Sequence, residues 1–360
     1  MQLFIEEDSK QSNKTTLTIR LAELFCGPGG IGLGASLADV PGVKIEHIWA
    51  TDYDKDSCET YQNNLHPKAI ICEDIRKLDF NKLLKYGEID CLTFGFPCND
   101  FSTVGEQKGL HGAFGRLYEY CVKALNTFKP KYFVAENVSG LRNANDGNAL
   151  NKILEAFRET GYTLYPNLYH FEDYGIPQKR HRVIIVGIRN DIDVVYKVPS
   201  THPFSCIDNS VKTALSNIPT NATNNEITAQ SAVVVERLKH IKEGENAFTA
   251  NLPPHLRLNV KGAKISQIYK RLKADEPSYT ITGSGGGGTH VYHYKENRAL
   301  TNRERARLQT FTDDYVFTGS KESVRKQIGM AVPPRGIKVI FEALLNSIAG
   351  NEYETMEAKI

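Results

Sequence analysis

The sequence lacks several features that would place it in a specialised class of protein. Its charge is nearly balanced, with 44 Lys and Arg against 42 Asp and Glu in 360 residues, so the whole molecule is not drawn toward nucleic acid. Its longest strongly apolar run, residues 183–188, is far too short to cross a bilayer. The acidic, polar N-terminus lacks the basic and then apolar order of a signal peptide. We therefore expect a globular, cytoplasmic protein without a membrane partner.

The cysteines do not form the pattern of a disulfide framework. There are seven, an odd number, and none belongs to a CxxC pair. This predicts neither disulfide pairing nor a zinc site, and it favours a reducing compartment. We predict no metal site. One of the seven thiols is a candidate for a reactive, functional role.

Apolar strand-like segments and helical segments alternate through the first half of the chain. Strands are predicted at residues 18–25, 44–51, 69–72, 89–94, 132–135 and 182–188, and a helix at 148–159 with Gly161 just past its end. Such alternation is typical of an α/β fold with a doubly wound, mainly parallel sheet.

The composition changes after Arg189. Residues 190–296 are rich in Asn, Thr, Ser and Pro and show no α/β alternation, which predicts a smaller, irregular domain. Residues 255–273 hold six Lys or Arg and no acid; this suits phosphate contacts, or a solvated helix face at 267–273. The glycine run at 283–288 suits close approach to a ligand, or a flexible link.

Four segments follow from these changes. We expect a flexible arm at 1–16, a main domain at 17–189 plus 325–360, the smaller domain at 190–297, and a connecting region at 298–324. In the connecting region, Thr301 and Glu304 have the spacing of a capping box, which predicts a helix at 303–311. A final amphipathic helix is predicted at 336–349.

The first strand runs into a glycine-rich loop, Phe25 to Gly34. Glycines let the backbone approach a ligand closely, and a helix N-terminus follows. Asp52 ends the next strand, where a carboxylate can accept from two ribose hydroxyls, and Tyr53 offers a ring for an adenine. Asp74 follows the third strand and could accept from the adenine amino group. The pattern suits a nucleoside without phosphates as well as NAD; a plain strand–helix turn is the alternative.

Two further strands end in residues with reactive side chains. The run 95–98, Gly-Phe-Pro-Cys, presents Cys98 at the edge where doubly wound sheets bind ligands. Its thiolate could be a nucleophile, although a buried, inert cysteine is the alternative. Glu136 closes the fifth strand on the same edge. It could act as a general acid, or else cap a helix or form a surface ion pair.

Arg180 and Arg182 lie two residues apart, so they share one face of an extended chain. An exposed basic edge strand is the alternative interpretation. No cluster of His, Cys or Asp accompanies His181, which predicts a solvated spacer rather than a metal ligand.

Taken together, these residues resemble the motifs of the cytosine-C5 DNA methyltransferases of the bacterial restriction–modification type. The matching segments follow the family's order: AELFCGPGGIGLG (22–34), GFPCNDFS (95–102), ENV (136–138), YGIPQKRHR (174–182), RALTNRERARLQTFTDDYVFTG (298–319) and IGMAVPP (328–334). The resemblance covers nearly the whole chain except the N-terminal arm and residues 190–275.

The resemblance implies a Rossmann-like enzyme that uses S-adenosylmethionine to methylate C5 of a cytosine flipped out of a specific duplex DNA sequence. Cys98 would add to C6, Glu136 would bond the ring edge of the base, and Arg180 and Arg182 would work beside it. The residues implied to line the cofactor pocket are Phe25, Gly27, Gly30, Ile31, Asp52, Tyr53, Asp74, Ile75, Gly95, Pro97, Leu117 and Val332. The smaller domain would recognise the target in double-stranded DNA. The enzyme would act as a monomer, with a cognate restriction endonuclease as its genetic partner.

Three positions depart from the family pattern. Met330 stands where the family usually has an Asn that helps hold the cofactor, Asn99 stands where Gln is frequent, and residues 112–115 lack an expected Arg near Phe114. None of these changes removes the nucleophile or the acid. A tRNA cytosine-C5 methyltransferase of the same fold and a non-catalytic DNA-binding relative remain alternatives.

Overall fold

The computed structural model describes residues 16–96, 117–143, 148–259, 266–286 and 288–360. A seven-stranded sheet organises the larger part of these ranges. Its strands are β1 (Leu17–Leu24), β2 (Val43–Asp52), β3 (Ala69–Cys72), β4 (Cys91–Phe94), β5 (Tyr132–Val138), β6 (Tyr162–His170) and β7 (His181–Arg189). The order across the sheet is β3-β2-β1-β4-β5-β7-β6. The order reverses between β1 and β4, and such a reversal is where open α/β sheets bind ligands.

Strand β7 runs antiparallel to its neighbours β5 and β6, whereas β1 to β5 pair in parallel. The predicted α/β class and mainly parallel sheet are therefore confirmed. The sequence did not predict β6, which contains Pro166 and Asn167. Proline lacks an N–H and is tolerated in edge strands, and β6 is the edge of this sheet.

Helices pack on both faces of the sheet, α3 and α4 on one and α1 and α9 on the other. The helices of the described ranges are α1 (Gly30–Ser36), α2 (Lys55–Leu65), α3 (Tyr118–Phe128), α4 (Asn148–Arg158), α5 (Val211–Ala214), α6 (Ala232–Lys239), α7 (Asn302–Leu308), α8 (Lys321–Met330) and α9 (Pro334–Ala349). Phe133 and Val134 are neighbours in β5 and belong to two separate buried clusters, because successive side chains of a strand point to opposite faces. Among the described residues, no helix combines the length and apolarity needed to cross a membrane.

The predicted capping box opens α7. The Thr301 hydroxyl accepts from the Glu304 backbone N–H at 3.1 Å, and the Glu304 carboxylate accepts from the Thr301 N–H at 2.7 Å. Arg298 also pairs with Glu304 at 2.7 Å. This network fixes the start of α7.

After β7 the chain continues to pack against the buried cluster of the sheet that contains Val134. Strand β8 (Val198–Pro199) pairs with β9 (Thr355–Met356) near the C-terminus. The Tyr174 hydroxyl donates to the carbonyl of Pro199 at 2.9 Å. Phe204 packs against the buried cluster to which Tyr174 belongs. We therefore propose that the smaller domain begins after Phe204 rather than at residue 190.

Residues of the proposed smaller domain form a separate buried cluster, which includes Leu238, Leu252 and Tyr292. Residues 266–269 form a turn, so the helix expected as an alternative at 267–273 is not formed. Arg271 is buried there and donates to the carbonyls of Leu238, Ile241 and His293 at 2.6 to 2.8 Å. One member of the basic run thus serves the domain's own core.

Candidate active site and cofactor cleft

A cleft opens at the carboxyl edge of the sheet, where the strand order reverses. It encloses about 740 Å³ including its open mouth. The lining comes from the glycine loop, the ends of β2 and β4, β5, and α8 with the chain after it. Its members are Phe25, Cys26, Gly27, Pro28, Gly30, Ile31, Asp52, Tyr53, Asp54, Ser57, Gly95, Glu136, Lys326, Gln327, Met330, Ala331 and Val332.

The glycine loop is held tightly against the C-terminal part of the chain. A Cβ at Gly30 would stand 2.5 Å from the carbonyl oxygen of Val332, closer than real contacts allow. The Tyr315 hydroxyl donates to the carbonyl of Pro28. Gly27 has a φ of +50°, in the region that favours glycine. The loop therefore presents bare backbone to the cleft because of both its own conformation and its neighbours.

Asp52 braces this loop. Its two carboxylate oxygens accept from the backbone N–H groups of Gly27 and Asp54, each at 2.9 Å. Burial raises the pKa of the Asp52 carboxyl, and the backbone donors oppose that shift. Each oxygen has a second lone pair, so the same carboxylate can still accept from ribose hydroxyls.

Tyr53 and Lys326 lie on opposite walls of the cleft mouth. Tyr53 is 63% exposed, and the Lys326 ammonium lies 5.8 Å from its ring centroid and 3.7 Å from a carboxylate oxygen of Asp54. Lys326 is one helical turn before Met330, which also lines the cleft. A cation therefore stands one turn from the position where the family usually carries an amide.

Glu136, which lines the cleft, forms a largely buried ion pair with Arg182. Arg182 Nε lies 2.7 Å from Glu136 Oε1, and each side chain is 13% exposed. The other carboxylate oxygen faces the end of β4, since a Cβ at Gly95 would stand 3.1 Å from it. Burial lowers the pKa of the Arg182 guanidinium, and the negative charge of Glu136 opposes this. One side of the carboxylate is thus paired with a cation, and the other is turned toward the cleft.

Arg180 makes different contacts from Arg182. It is buried, and its Nη1 donates to the carbonyls of Ile281 and Gly329 at 3.0 and 3.2 Å. Its Nε finds no hydrogen-bond partner within the described ranges. These bonds connect β7, the smaller domain and α8. The arrangement is that of a positioning residue rather than of a group that lines the cleft.

Three residues predicted to hold the cofactor lie outside the cleft lining. The Asp74 carboxylate is paired with Arg76, whose hydrogen bonds lower the pKa of Asp74 to about 2. Ile75 and Leu117 belong to the apolar core on one face of the sheet. The predicted residues Pro97 and Cys98, together with Asn99 and the segment 112–115, lie outside the residues that the structure describes.

Several lining residues were missed by sequence analysis. Asp54 caps α2 by accepting from the Ser57 N–H at 2.9 Å, and an acid three residues before a serine at a helix start is a recognisable capping signal. No local sequence pattern identifies Lys326 as a cleft residue, because its position beside Tyr53 depends on how α8 packs.

His181 is not an isolated spacer, and that prediction is wrong. The β6–β7 register places it opposite His170, and the two rings stack with centroids 3.9 Å apart. His181 Nε2 also lies 2.6 Å from a carboxylate oxygen of Glu172. Strand pairing assembles a cluster that the order of residues alone did not reveal.

Comparison with known proteins identifies the family. The chain matches the C-5 cytosine-specific DNA methylase model over residues 19–346. It is 53% identical over 357 residues to the type II methyltransferase M.BbvI of Brevibacillus brevis, covering 95% of each chain. It is 40% identical over 351 residues to M.NgoFVII of Neisseria gonorrhoeae, covering 96% of this chain and 91% of the relative.

The fold comparison agrees with this assignment. A DNA modification methyltransferase encoded within an Escherichia coli prophage superposes with a TM-score of 0.71 at 23% identity, covering 92% of this chain and 99% of that one. The Dnmt2 methyltransferase of S. pombe gives a TM-score of 0.63 at 16% identity, with the same coverage. At these identities the likeness supports the fold alone.

The described side of the cleft fits S-adenosylmethionine, the methyl donor of the family. Asp52 has lone pairs free for ribose hydroxyls, Tyr53 offers an exposed ring, and a Cβ at Gly27 would meet nothing within 4 Å, so the loop leaves open space there. The chain belongs to the C-5 cytosine-specific DNA methylases, and it is an S-adenosylmethionine-dependent DNA (cytosine-5) methyltransferase.

Proposed function

We propose that this protein methylates C5 of a cytosine flipped out of a specific duplex DNA sequence, as the modification enzyme of a restriction–modification system with a cognate endonuclease. The main support is the Glu136–Arg182 pair, in which Glu136 lines the cofactor cleft and turns one carboxylate oxygen toward Gly95. The type II methyltransferases to which the chain is similar support the restriction–modification role.

We also propose that the enzyme acts as a cytoplasmic monomer. One chain supplies the described lining of the cleft, which supports a site that needs no second copy. The cysteines within the described ranges are free thiols, as expected in a reducing compartment.

The proposed reaction begins with the Cys98 thiolate adding to C6 of the cytosine. Addition converts the C5=C6 bond into an enamine-like system, which makes C5 nucleophilic enough to take a methyl group. S-adenosylmethionine, when bound, supplies that methyl group in electrophilic form. Loss of the C5 proton to a base and expulsion of the Cys98 thiolate then restore the ring, so the thiol is regenerated. Only two residues separate Cys98 in the sequence from Gly95, where a Cβ would stand 3.1 Å from Glu136 Oε2.

The other residues stabilise the charge that builds on the ring. Glu136 offsets it at N3 by hydrogen bonding or proton delivery. Arg182 holds the Glu136 carboxylate in place and can stabilise charge at O2. Arg180 acts as a positioning residue, because its bonds join the smaller domain to α8. Swinging the base out of the duplex costs roughly a few kcal/mol, which pocket contacts partly recover.

A trapping experiment tests this proposal. In duplex DNA whose cytosines carry fluorine at C5, the C5 substituent cannot leave as a proton, so the Cys98–C6 bond should persist through denaturing electrophoresis. We expect a covalent complex with the parent enzyme and with Cys72→Ser, a control at an exposed thiol. Cys98→Ser should give no complex and no turnover while retaining S-adenosylmethionine binding.

Two results would overturn the proposal. Methylation of DNA by Cys98→Ser at the parental rate would exclude the covalent mechanism. Transfer of labelled methyl groups to tRNA but not to duplex DNA would favour the tRNA alternative. Bisulfite sequencing of DNA from cells that express the protein would then identify the target sequence.

A further inference from the structure

Three side chains with metal-binding chemistry converge where β6 ends and β7 begins. His170 is the last residue of β6, His181 is the first residue of β7, and Glu172 follows in the turn. One potential ligand atom from each lies within 4.8 Å of the other two. We propose that His170, Glu172 and His181 bind a divalent transition metal ion, with Zn²⁺ as the best match.

The backbone around this cluster is fixed by several bonds. His170 and His181 are directly opposite in the antiparallel register. The turn after β6 closes through the Phe171 N–H, which donates to the Arg180 carbonyl at 3.1 Å. Asn209 donates from its side chain to the carbonyl of Glu172 at 2.9 Å. The three side chains therefore start from a rigid frame, and only rotation about side-chain bonds is needed to converge on an ion.

An unsatisfied oxygen provides independent support for a cation. Glu172 Oε1 contacts His181 Nε2 at 2.6 Å, whereas Glu172 Oε2 is buried and has no hydrogen-bond partner among the described residues. A buried carboxylate oxygen without a donor is costly. A metal ion bound by the carboxylate and both imidazoles would remove that cost.

The ligand types select the metal. Two imidazoles and one carboxylate suit Zn²⁺ and its first-row neighbours, whereas Mg²⁺ and Ca²⁺ prefer all-oxygen sites. Zn–N bonds of about 2.0–2.1 Å require the two ring nitrogens to lie roughly 3.3 Å apart in a tetrahedral site. The fourth position is open to water or to Asp173, whose carboxylate lies 4.0 Å from His170 Nδ1. Lys359 is an opposing cation beside the cluster, and its ammonium pairs with Asp173 at 3.5 Å.

A metal at this cluster would act on the active site through the chain. His181 immediately precedes Arg182, and Arg182 Nη1 donates to the His181 carbonyl at 2.8 Å. The ion would fix the start of β7, so it is structural and not a reactant in methyl transfer. This proposal does not depend on the proposed function.

Calorimetric titration of tag-free, metal-stripped protein with ZnCl₂ tests the site directly. We expect one equivalent to bind, and to raise the midpoint of thermal unfolding by roughly 2–5 °C at saturation. His170→Gln and Glu172→Gln should each weaken binding by at least about a hundredfold, since even outer-shell changes cost 10–100-fold. His202→Gln is the matched control, because His202 is an exposed histidine paired only with Glu354 at 3.3 Å among the residues described.

The outcomes separate this site from other zinc-binding groups. Equal affinity in the parent, His170→Gln and His202→Gln would place the ion elsewhere, for example on exposed thiols such as Cys72, and would overturn the proposal. The absence of any stoichiometric binding would overturn it as well. Loss of binding in His170→Gln and Glu172→Gln, with normal binding in His202→Gln, would establish the site.

Discussion

Glu136 and Arg182 meet because one strand of the sheet runs backwards. In the β5–β7 register, Glu136 pairs with Ile184 and Val138 pairs with Arg182, so the two charged side chains are diagonal neighbours 2.7 Å apart at their closest atoms. Parallel strands bring their carboxyl ends to one edge, whereas antiparallel β7 brings its beginning there. The reversed strand thus delivers an arginine to the edge where the cofactor cleft opens.

Replacing Glu136 by Gln should impair chemistry and leave cofactor binding almost unchanged. The variant removes the negative charge that Arg182 holds and the group that can deliver a proton, so kcat should fall by about 10²–10⁴. Single-turnover methylation assays and calorimetric titration with S-adenosylmethionine measure the two effects separately. Asp191→Asn is the control, because it breaks the exposed Arg189–Asp191 pair at the far end of β7. A parental kcat in Glu136→Gln would exclude the proposed role.

Asp52→Ala should weaken S-adenosylmethionine binding by about 10–100-fold. It removes the acceptor of two backbone N–H groups that shape the glycine loop, each worth about 1 kcal/mol or more, as well as the partner proposed for ribose. Asp74→Ala is the comparison, because its carboxylate faces Arg76 outside the cleft lining. For Asp74→Ala we expect the dissociation constant of S-adenosylmethionine to change by less than about threefold, which corresponds to about 0.7 kcal/mol. An equal loss in both variants would instead assign Asp74 to the cofactor.

Lys326→Met should raise the dissociation constant of S-adenosylmethionine and make it less sensitive to salt. The ammonium bridges Tyr53 and Asp54 across the cleft mouth, and such exposed charges are screened by salt. Titrations at low and high ionic strength measure both effects. Lys55→Met, which breaks a surface pair with Glu59, should match the parent. If Lys326→Met binds like the parent at low salt, the bridge does not support the cofactor.

The buried carboxyl of Glu23 should make the protein less stable at alkaline pH. Burial raises the pKa of Glu23 to about 8, and the hydrogen bond from Tyr61 opposes the shift. Between the unfolded value near 4.5 and about 8, the folded state holds the extra proton. Stability is therefore fully present below pH 4.5 and falls as pH rises through 8.

Urea unfolding of Glu23→Gln across this pH range tests that expectation. The free energy of unfolding should exceed that of the parent by roughly 2–4 kcal/mol at pH 9 and approach it at pH 5. In Glu23→Gln the free energy of unfolding should still fall slightly as pH rises, because burial also raises the pKa of Asp52. Glu88→Gln, at an 87% exposed side chain, should keep the parental profile. A Glu23→Gln profile that runs parallel to the parent would contradict the argument.

The elements with clear periodicity were predictable, and those that depend on pairing were not. The third strand, 69–72, was predicted with its observed bounds, and α4 begins at the predicted Asn148. Strand β6 was missed because Pro166 and Asn167 argue against a strand, and only its edge position makes them acceptable.

The same limit applies to the site. The sequence placed Asp74 after a strand, as observed, but it did not predict that Arg76 two residues later would pair with its carboxylate. His170 and Glu172 could not be connected to His181 without β6, since only strand pairing brings them together. Local sequence patterns identify which residues lie at the carboxyl edge of the sheet, whereas long-range packing determines which groups each side chain contacts.

The bond from Tyr315 to Pro28 spans 287 positions of sequence. The glycine loop is therefore synthesised well before the residues that cover it. A nascent chain has no complete cofactor cleft until Tyr315 and Val332 have been added and have folded back onto the loop. Partly made molecules that lack these residues should be unable to methylate DNA.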